Sequence, residues 1–268
     1  METRPLIVTA LDAGFSEAAT RGAIAAVSAG VASGARVVVP GPWAHYATHS
    51  LSGADVGIEL GLLAHGNVIR LSPLTASPSL LGGQGSFPET PEDLFEHADL
   101  EEVYHELRTQ IERVSEWGCH LSHLGISPDI LLARAEFFGA VLELAKQFAL
   151  PIRIGRKMRE ETLGYDAYQL ALEAGCVVTD HAKDLGTHLY ASEAAFEEGF
   201  RHAVVESGPS EIIDIGILFA YDTPESRVLY PTQIMVADRL VKEPDILKDL
   251  TSSLGCRLTS YRATRARA

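Results

Sequence analysis

An α/β fold of the (β/α) barrel type is predicted by two features of the sequence. Short β-branched runs alternate with longer helical patterns from end to end, and eight such runs occur. The predicted strands are Leu6–Leu11, Ala35–Val39, Asp55–Leu60, Cys119–Leu124, Pro151–Ile154, Cys176–Thr179, Glu211–Leu218 and Cys256–Tyr261. Eight parallel runs suit a distorted, closed or nearly closed barrel of the TIM type better than an open sheet.

The helices follow from caps and periodicity. Ser16 is placed to cap a helix through Ala18, Ala19, Ala23, Ile24 and Val27 that stops near Gly30. Val103, Leu107, Ile111 and Val114 recur at helical spacing behind the acidic start Glu101-Glu102, and Gly118 closes that helix. A third pattern, Phe137, Val141, Leu144 and Phe148, runs through Ala133–Ala149 until Pro151 ends it. The segment 63–94 breaks the rhythm. It carries Pro73, Pro78, Pro88, Pro91 and the Gly82-Gly83-Gln84-Gly85 turn, with Leu71, Leu74, Leu80, Leu81 and Phe87 as anchors, and reads as a lid or binding loop on one domain spanning residues 1–268.

Composition bounds the function. The 268 residues carry 36 acids and 22 Lys or Arg, a formal charge of −14 that repels phosphate backbones and anionic lipid surfaces. A small-molecule substrate is expected, with neither nucleic acid nor membrane as partner, and a homodimer is compatible with the chain. No run approaches the roughly 20 apolar residues of a membrane helix. The opening Pro5–Leu11 run is too short for a signal peptide, which predicts a cytoplasmic protein. Cys119, Cys176 and Cys256 form neither a CxxC pair nor a disulfide framework and read as small buried residues.

In a (β/α) barrel the chemistry lies at the carboxyl ends of the strands. Those ends deliver Asp12, Glu59, then His120, Ser122 and His123, then Arg153 and Arg156, then Asp180 and His181, and finally Asp214. Two carboxylates, Asp12 and Glu59, with one of the imidazoles would make a divalent-metal set, to which a cation would bring an activated water. Each has a plainer reading: Asp12 as a helix cap, Glu59 as an ion-pair partner of Arg153, and one of His120 and His123 as a structural histidine, because strand side chains alternate. Glu59 stands out because a charge within Val56-Gly57-Ile58-Glu59-Leu60 is costly unless paired or coordinated. Neither a Gly-x-Ser-x-Gly elbow nor a phosphate-binding glycine loop occurs.

Five segments carry a family resemblance. They are Leu6 through Ser16, Val38-Val39-Pro40-Gly41-Pro42-Trp43-Ala44, Asp55 through Leu60, the loop from Ser72-Pro73-Leu74 to Gly85-Ser86-Phe87, and Glu106 through Glu112. In this order they resemble the YdjC/ChbG family of carbohydrate deacetylases, over nearly the whole chain. The resemblance implies a barrel-like fold, a divalent metal, and removal of acetyl groups from N-acetylated sugars such as chitooligosaccharides. It also exposes departures. The family's paired aspartate reads Leu11-Asp12 here, so the first, its base, is missing, and the third-strand metal histidine is Glu59. The His-Leu-Asp-Ser-His motif is His120-Leu121-Ser122-His123, which keeps His123 as ligand only if one residue is deleted and otherwise puts Leu124 in its place. The later His-Pro-Gly segment is replaced by Ile213-Asp214-Ile215-Gly216-Ile217.

The expectation is a divergent YdjC-like hydrolase acting on an N-acyl sugar or related polar metabolite. Asp12, Glu59 and His123 would hold zinc, magnesium, manganese or nickel, Arg153 would orient a substrate oxygen, and Asp180, Asp214 and His120 are the catalytic candidates. The alternatives are a non-hydrolytic lyase, isomerase or cyclase on the same scaffold, using Glu59, His120 and His123, or a pseudoenzyme that only binds.

Overall fold

A computed structural model describes residues 3–64, 68–126, 130–156, 164–208 and 210–264. Seven strands are described: β1 (Arg4–Ala13), β2 (Gly34–Val38), β3 (Asp55–Leu60), β4 (Leu121–Ile126), β5 (His181–Asp184), β6 (Ile213–Ile217) and β7 (Cys256–Leu258). The helices are α1 (Glu17–Ser28), α2 (Ala44–Ser50), α3 (Pro91–His97), α4 (Leu100–Glu116), α5 (Ala135–Gln147), α6 (Ala167–Glu173), α7 (Glu193–Val205), α8 (Pro224–Leu229), α9 (Ile234–Lys242), α10 (Asp245–Ser253) and α11 (Tyr261–Thr264). The strands pair in parallel in the order β4-β3-β2-β1-β6-β5, a curled α/β barrel-like sheet with its helices outside.

Two of the predicted strands shrink to single bridges, Leu124 with Ile152 and Ile152 with Val178. These bridges carry the wall from β4 toward β5. The apolar run Cys176–Thr179 therefore ends just before the real strand, His181-Ala182-Lys183-Asp184, whose polar residues pair with β6. A hydrophobic run marked the neighbourhood of this strand and missed its register.

Local signals act as expected in the helices. The Ser16 side chain accepts from the Ala19 amide and opens α1, and Val103, Leu107, Ile111 and Val114 are all buried beneath α4. The last predicted strand is shortened to β7, which pairs with the start of β1 through Arg4–Cys256 and Leu6–Leu258. The chain then turns Tyr261 up into the barrel floor beside Ile7 and Ile212. Among the described residues no helix is long and apolar enough to cross a membrane.

The long segment after β3 is fastened to α4. Glu106, fully buried, accepts from the Leu74 amide (3.1 Å), the Thr75 amide (2.9 Å), the Thr75 hydroxyl (2.6 Å) and Gln110 Nε2 (2.9 Å). One turn earlier on the same face, Glu102 accepts from the amide and hydroxyl of Ser79 at 2.8 and 2.7 Å. Leu80 and Phe87 fill the core below. Glu106→Ala strands two amides and a hydroxyl, so it is expected to lower stability by about 3 kcal/mol. The urea midpoint should fall at unchanged slope, and limited proteolysis should cut first between residues 68 and 90.

Candidate functional site

The barrel interior is built from charges set against glycines on the neighbouring strand. Arg36 pairs in register with Gly57, and Gly57 in turn with His123, while Glu59 faces Gly125 and Asp184 faces Gly216. The spacing is obligatory. A Cβ at Gly57 would overlap the His123 ring, one at Gly216 would overlap the Asp184 carboxylate, and one at Gly125 would lie 2.5 Å from Arg36 Cδ.

Those side chains form one continuous line of contacts. Arg36 reaches Glu59 Oε2 with Nε at 3.1 Å and Asp184 with Nη2 at 2.8 Å. Arg153 continues the line, with Nη2 2.9 Å from Asp184 and Nε 3.1 Å from Asp214. On the floor, Asp214 accepts from Thr9 Oγ1 at 2.9 Å and from the Tyr261 hydroxyl at 2.5 Å. Arg36, Arg153 and Asp214 are 4%, 1% and 0% exposed. Two guanidiniums thus serve three carboxylates, which leaves one negative charge in excess.

Glu59 absorbs that excess. Its Oε2 is buried and accepts no hydrogen bond among the described residues, and its contact with Arg36 Nε at 3.1 Å is an ion pair. Burial pushes the Glu59 carboxyl up from the ordinary glutamate value, and the attraction of Arg36 does not cancel it. Beside it opens a cavity of about 210 Å³, walled by Val38, Pro40, Glu59, Leu60, Leu62, Leu63, Leu71, Glu89 and Ile130. Asp12 closes β1 at the same end with φ of 57°, a left-handed conformation unusual for a non-glycine residue. The Tyr230 phenol, raised above its usual range by burial and the Asp12 carboxylate, lies against Asp12 and Ser16.

The other predicted residues are distributed differently. His123 faces the interior and His120 does not: the His123 ring stacks on Tyr261 at 3.8 Å and its Nδ1 meets Ser122 Oγ at 2.9 Å. His120 is exposed before β4, near Ile111 and Phe148. Asp180 precedes β5 at the end opposite the cavity, held by Arg156 Nη2 at 2.6 Å and the Ile212 amide at 2.9 Å. Glu59 has Arg36 as its partner in place of Arg153, and the cap of α1 is Ser16 in place of Asp12. Arg153 has both edges engaged by carboxylates beneath the mouth.

Asp12, Glu59 and His123 do not fit a divalent cation. Among the described residues no group of three or more His, Cys, Asp or Glu side chains is arranged to hold a metal. One oxygen of Glu59, Oε2, lies against Arg36, and the His123 ring is packed against the floor tyrosine. The shared-ion expectation is therefore not met by this donor geometry.

The sequence model of the YdjC-like protein family matches residues 5–243. The chain belongs to that family. Curated relatives include the carbohydrate deacetylase of Geobacillus stearothermophilus, 31% identical over 160 residues, which are 60% of this chain and 63% of that protein. The carbohydrate deacetylase of Enterococcus faecalis is 28% identical over 173 residues, 63% of this chain and 65% of its own. That of Thermus thermophilus is 41% identical over 76 residues, 28% of this chain and 27% of its own. The chain thus matches less than two thirds of the length of each of these relatives. Among solved structures, a protein of Enterococcus faecalis provisionally named for cellobiose-phosphate cleavage superposes with a TM-score of 0.77 at 21% identity, over 97% of this chain and 98% of its own. A lactam utilization protein of Thermus thermophilus gives 0.52 at 15% identity, over 97% and 100%. Both show the fold alone.

In this YdjC-like chain the residues missed by sequence reasoning are Arg36, Asp184 and Tyr261. Arg36 was detectable by the argument that singled out Glu59, a charge inside the apolar run Ala35–Val39. Asp184 and Tyr261 lie outside the predicted apolar runs or at their margin and had no such signal. At the opposite end of β5 and β6, Glu211 accepts from the Gly208 amide and pairs with His181 Nε2 (2.8 Å) and Arg156 (2.5 Å), contacts that hold its carboxyl down at about 2. A depressed folded-state value stabilises the protein above the unfolded glutamate value of about 4.3 and ceases to do so as pH falls toward the folded value. The melting-temperature advantage of the wild type over Glu211→Gln is thus expected at neutral pH and should disappear as pH falls from 4.5 to about 2.

Proposed function

We propose that the protein is a carbohydrate N-deacylase whose general base is Glu59. The observation that carries this reading is a partly exposed carboxylate, raised in pKa by its burial in the interior, that lines the cavity at the carboxyl ends of the strands. Membership of the YdjC-like family and its carbohydrate deacetylase relatives supports an N-acyl sugar as substrate.

Glu59 takes a proton from water as the water oxygen bonds to the acyl carbon. The proton is returned to nitrogen as the carbon–nitrogen bond breaks, giving the acid and the sugar amine. Arg36, outside the cavity lining, pairs with Glu59 Oε2 at 3.1 Å and so fixes the position of that carboxylate. Asp184 holds Arg36, and Arg153 holds Asp184, so Arg153 positions the site from below. In this reading His120 and Asp180 take no part, and Asp214 and His123 shape the floor.

The test is acetate release from N-acetylated glucosamine oligomers, followed by proton NMR with and without EDTA. Release that survives EDTA supports the reading. Release abolished by EDTA and restored by a divalent ion overturns the assignment of Glu59 as the activating group, and no release from any N-acyl sugar overturns hydrolysis. The left-handed Asp12 and the absent paired aspartate favour a second reading, a non-hydrolytic acid–base enzyme, which would change a reducing sugar without freeing an acid.

A further inference from the structure

Resting on the N-deacylase reading, we infer that the cavity beside Glu59 is an acyl-chain site and that the preferred substrate carries an aliphatic acyl group longer than acetyl. The wall is made by Leu60, Leu62, Leu63, Leu71 and Ile130, with Val38 and Pro40 on the β2 side. Leu60, Leu62 and Leu71 are themselves buried, so the wall is set by the core and by the segment fastened to α4.

The lining chemistry selects what enters. No cationic side chain contributes to it, and its two charged members are carboxylates, Glu59 and Glu89. Glu89 is drawn aside by Arg70 at 2.5 Å. A sugar ring would leave its hydroxyls unpaired against leucines, and an anionic group would face two acids. The apolar end of the acyl group is the part of the substrate that this wall accepts. Size agrees. The cavity of about 210 Å³ leaves room beyond an acetyl group for further methylenes of an aliphatic chain.

The experiment compares N-acetyl-, N-butyryl- and N-hexanoyl-glucosamine as substrates. The same three compounds are titrated calorimetrically into the Glu59→Gln protein, where binding is read without turnover. Each buried methylene strengthens apolar binding roughly fourfold, so hexanoyl should exceed acetyl on the order of a hundredfold. Leu71→Phe and, separately, Ile130→Phe fill the cavity and should collapse the hexanoyl-to-acetyl ratio, with a cooperative melt confirming that each variant folds. Equal or better binding of the acetyl compound overturns the acyl-chain site while leaving the N-deacylase reading intact. Tight hexanoyl binding without turnover of any compound upholds the site and overturns the hydrolysis.

Discussion

Glu59→Gln is expected to lower kcat/KM for an N-acyl sugar by about 10²–10⁴-fold, the contribution of a positioned general base. Glutamine keeps the shape that fits against Gly125 and removes only the charge and the basicity. The structural cost is small, because Arg36 retains Asp184 at 2.8 Å and the interior loses its one surplus negative charge. The variant should therefore melt within a few degrees of the parent. The pH profile offers an independent check. A base must be ionised to act, so the acidic limb of kcat/KM should lie above the ordinary glutamate range of about 4.3, as the raised Glu59 carboxyl requires. A folded variant that keeps full activity would remove Glu59 from the centre of the reaction.

The largest stability effect is expected from Arg153→Met. Arg153 is 1% exposed and bridges Asp184 and Asp214, so methionine fills its volume and leaves Asp214, 0% exposed, without its cation. Removing one partner of a buried pair costs about 3–5 kcal/mol. That is a large part of a stability of about 5–15 kcal/mol and lowers Tm by roughly 10 °C. The penalty comes from the orphaned carboxylate more than from lost attraction. Asp214→Asn in the Arg153→Met chain should therefore recover part of the loss, since the amide oxygen still accepts from Thr9 or Tyr261. Thermal melts of the single and double variants give the coupling directly.

The sequence made the scaffold legible where a local rule had a single physical meaning. Ser16 capped α1, the leucines and valines of α4 turned inward, and β1 to β4 lay close to the apolar runs. It misled where burial and apolarity separate. Cys176–Thr179 is apolar but contributes one bridge, while the polar His181–Asp184 is the strand, because its inward position supplies a carboxylate to two arginines. At the site, Glu59 was conspicuous as a charge in an apolar strand, but its partner was assigned to the wrong arginine. Arg36 and Arg153 are equivalent in sequence, and only the register of β2 against β3 distinguishes them. Tyr261 could not be foreseen, since nothing local in β7 says that the next turn rises into the floor.

The opposition of large charged side chains to bare backbone on adjacent strands also bears on how such an interior can diverge. A methyl group added at Gly57 or Gly216 finds its place already occupied, and a shortened His123 or Asp184 leaves a void beside a residue that cannot grow to meet it. Descendants are expected to drift here by coordinated double replacements, so these facing positions should covary across strands when relatives are aligned.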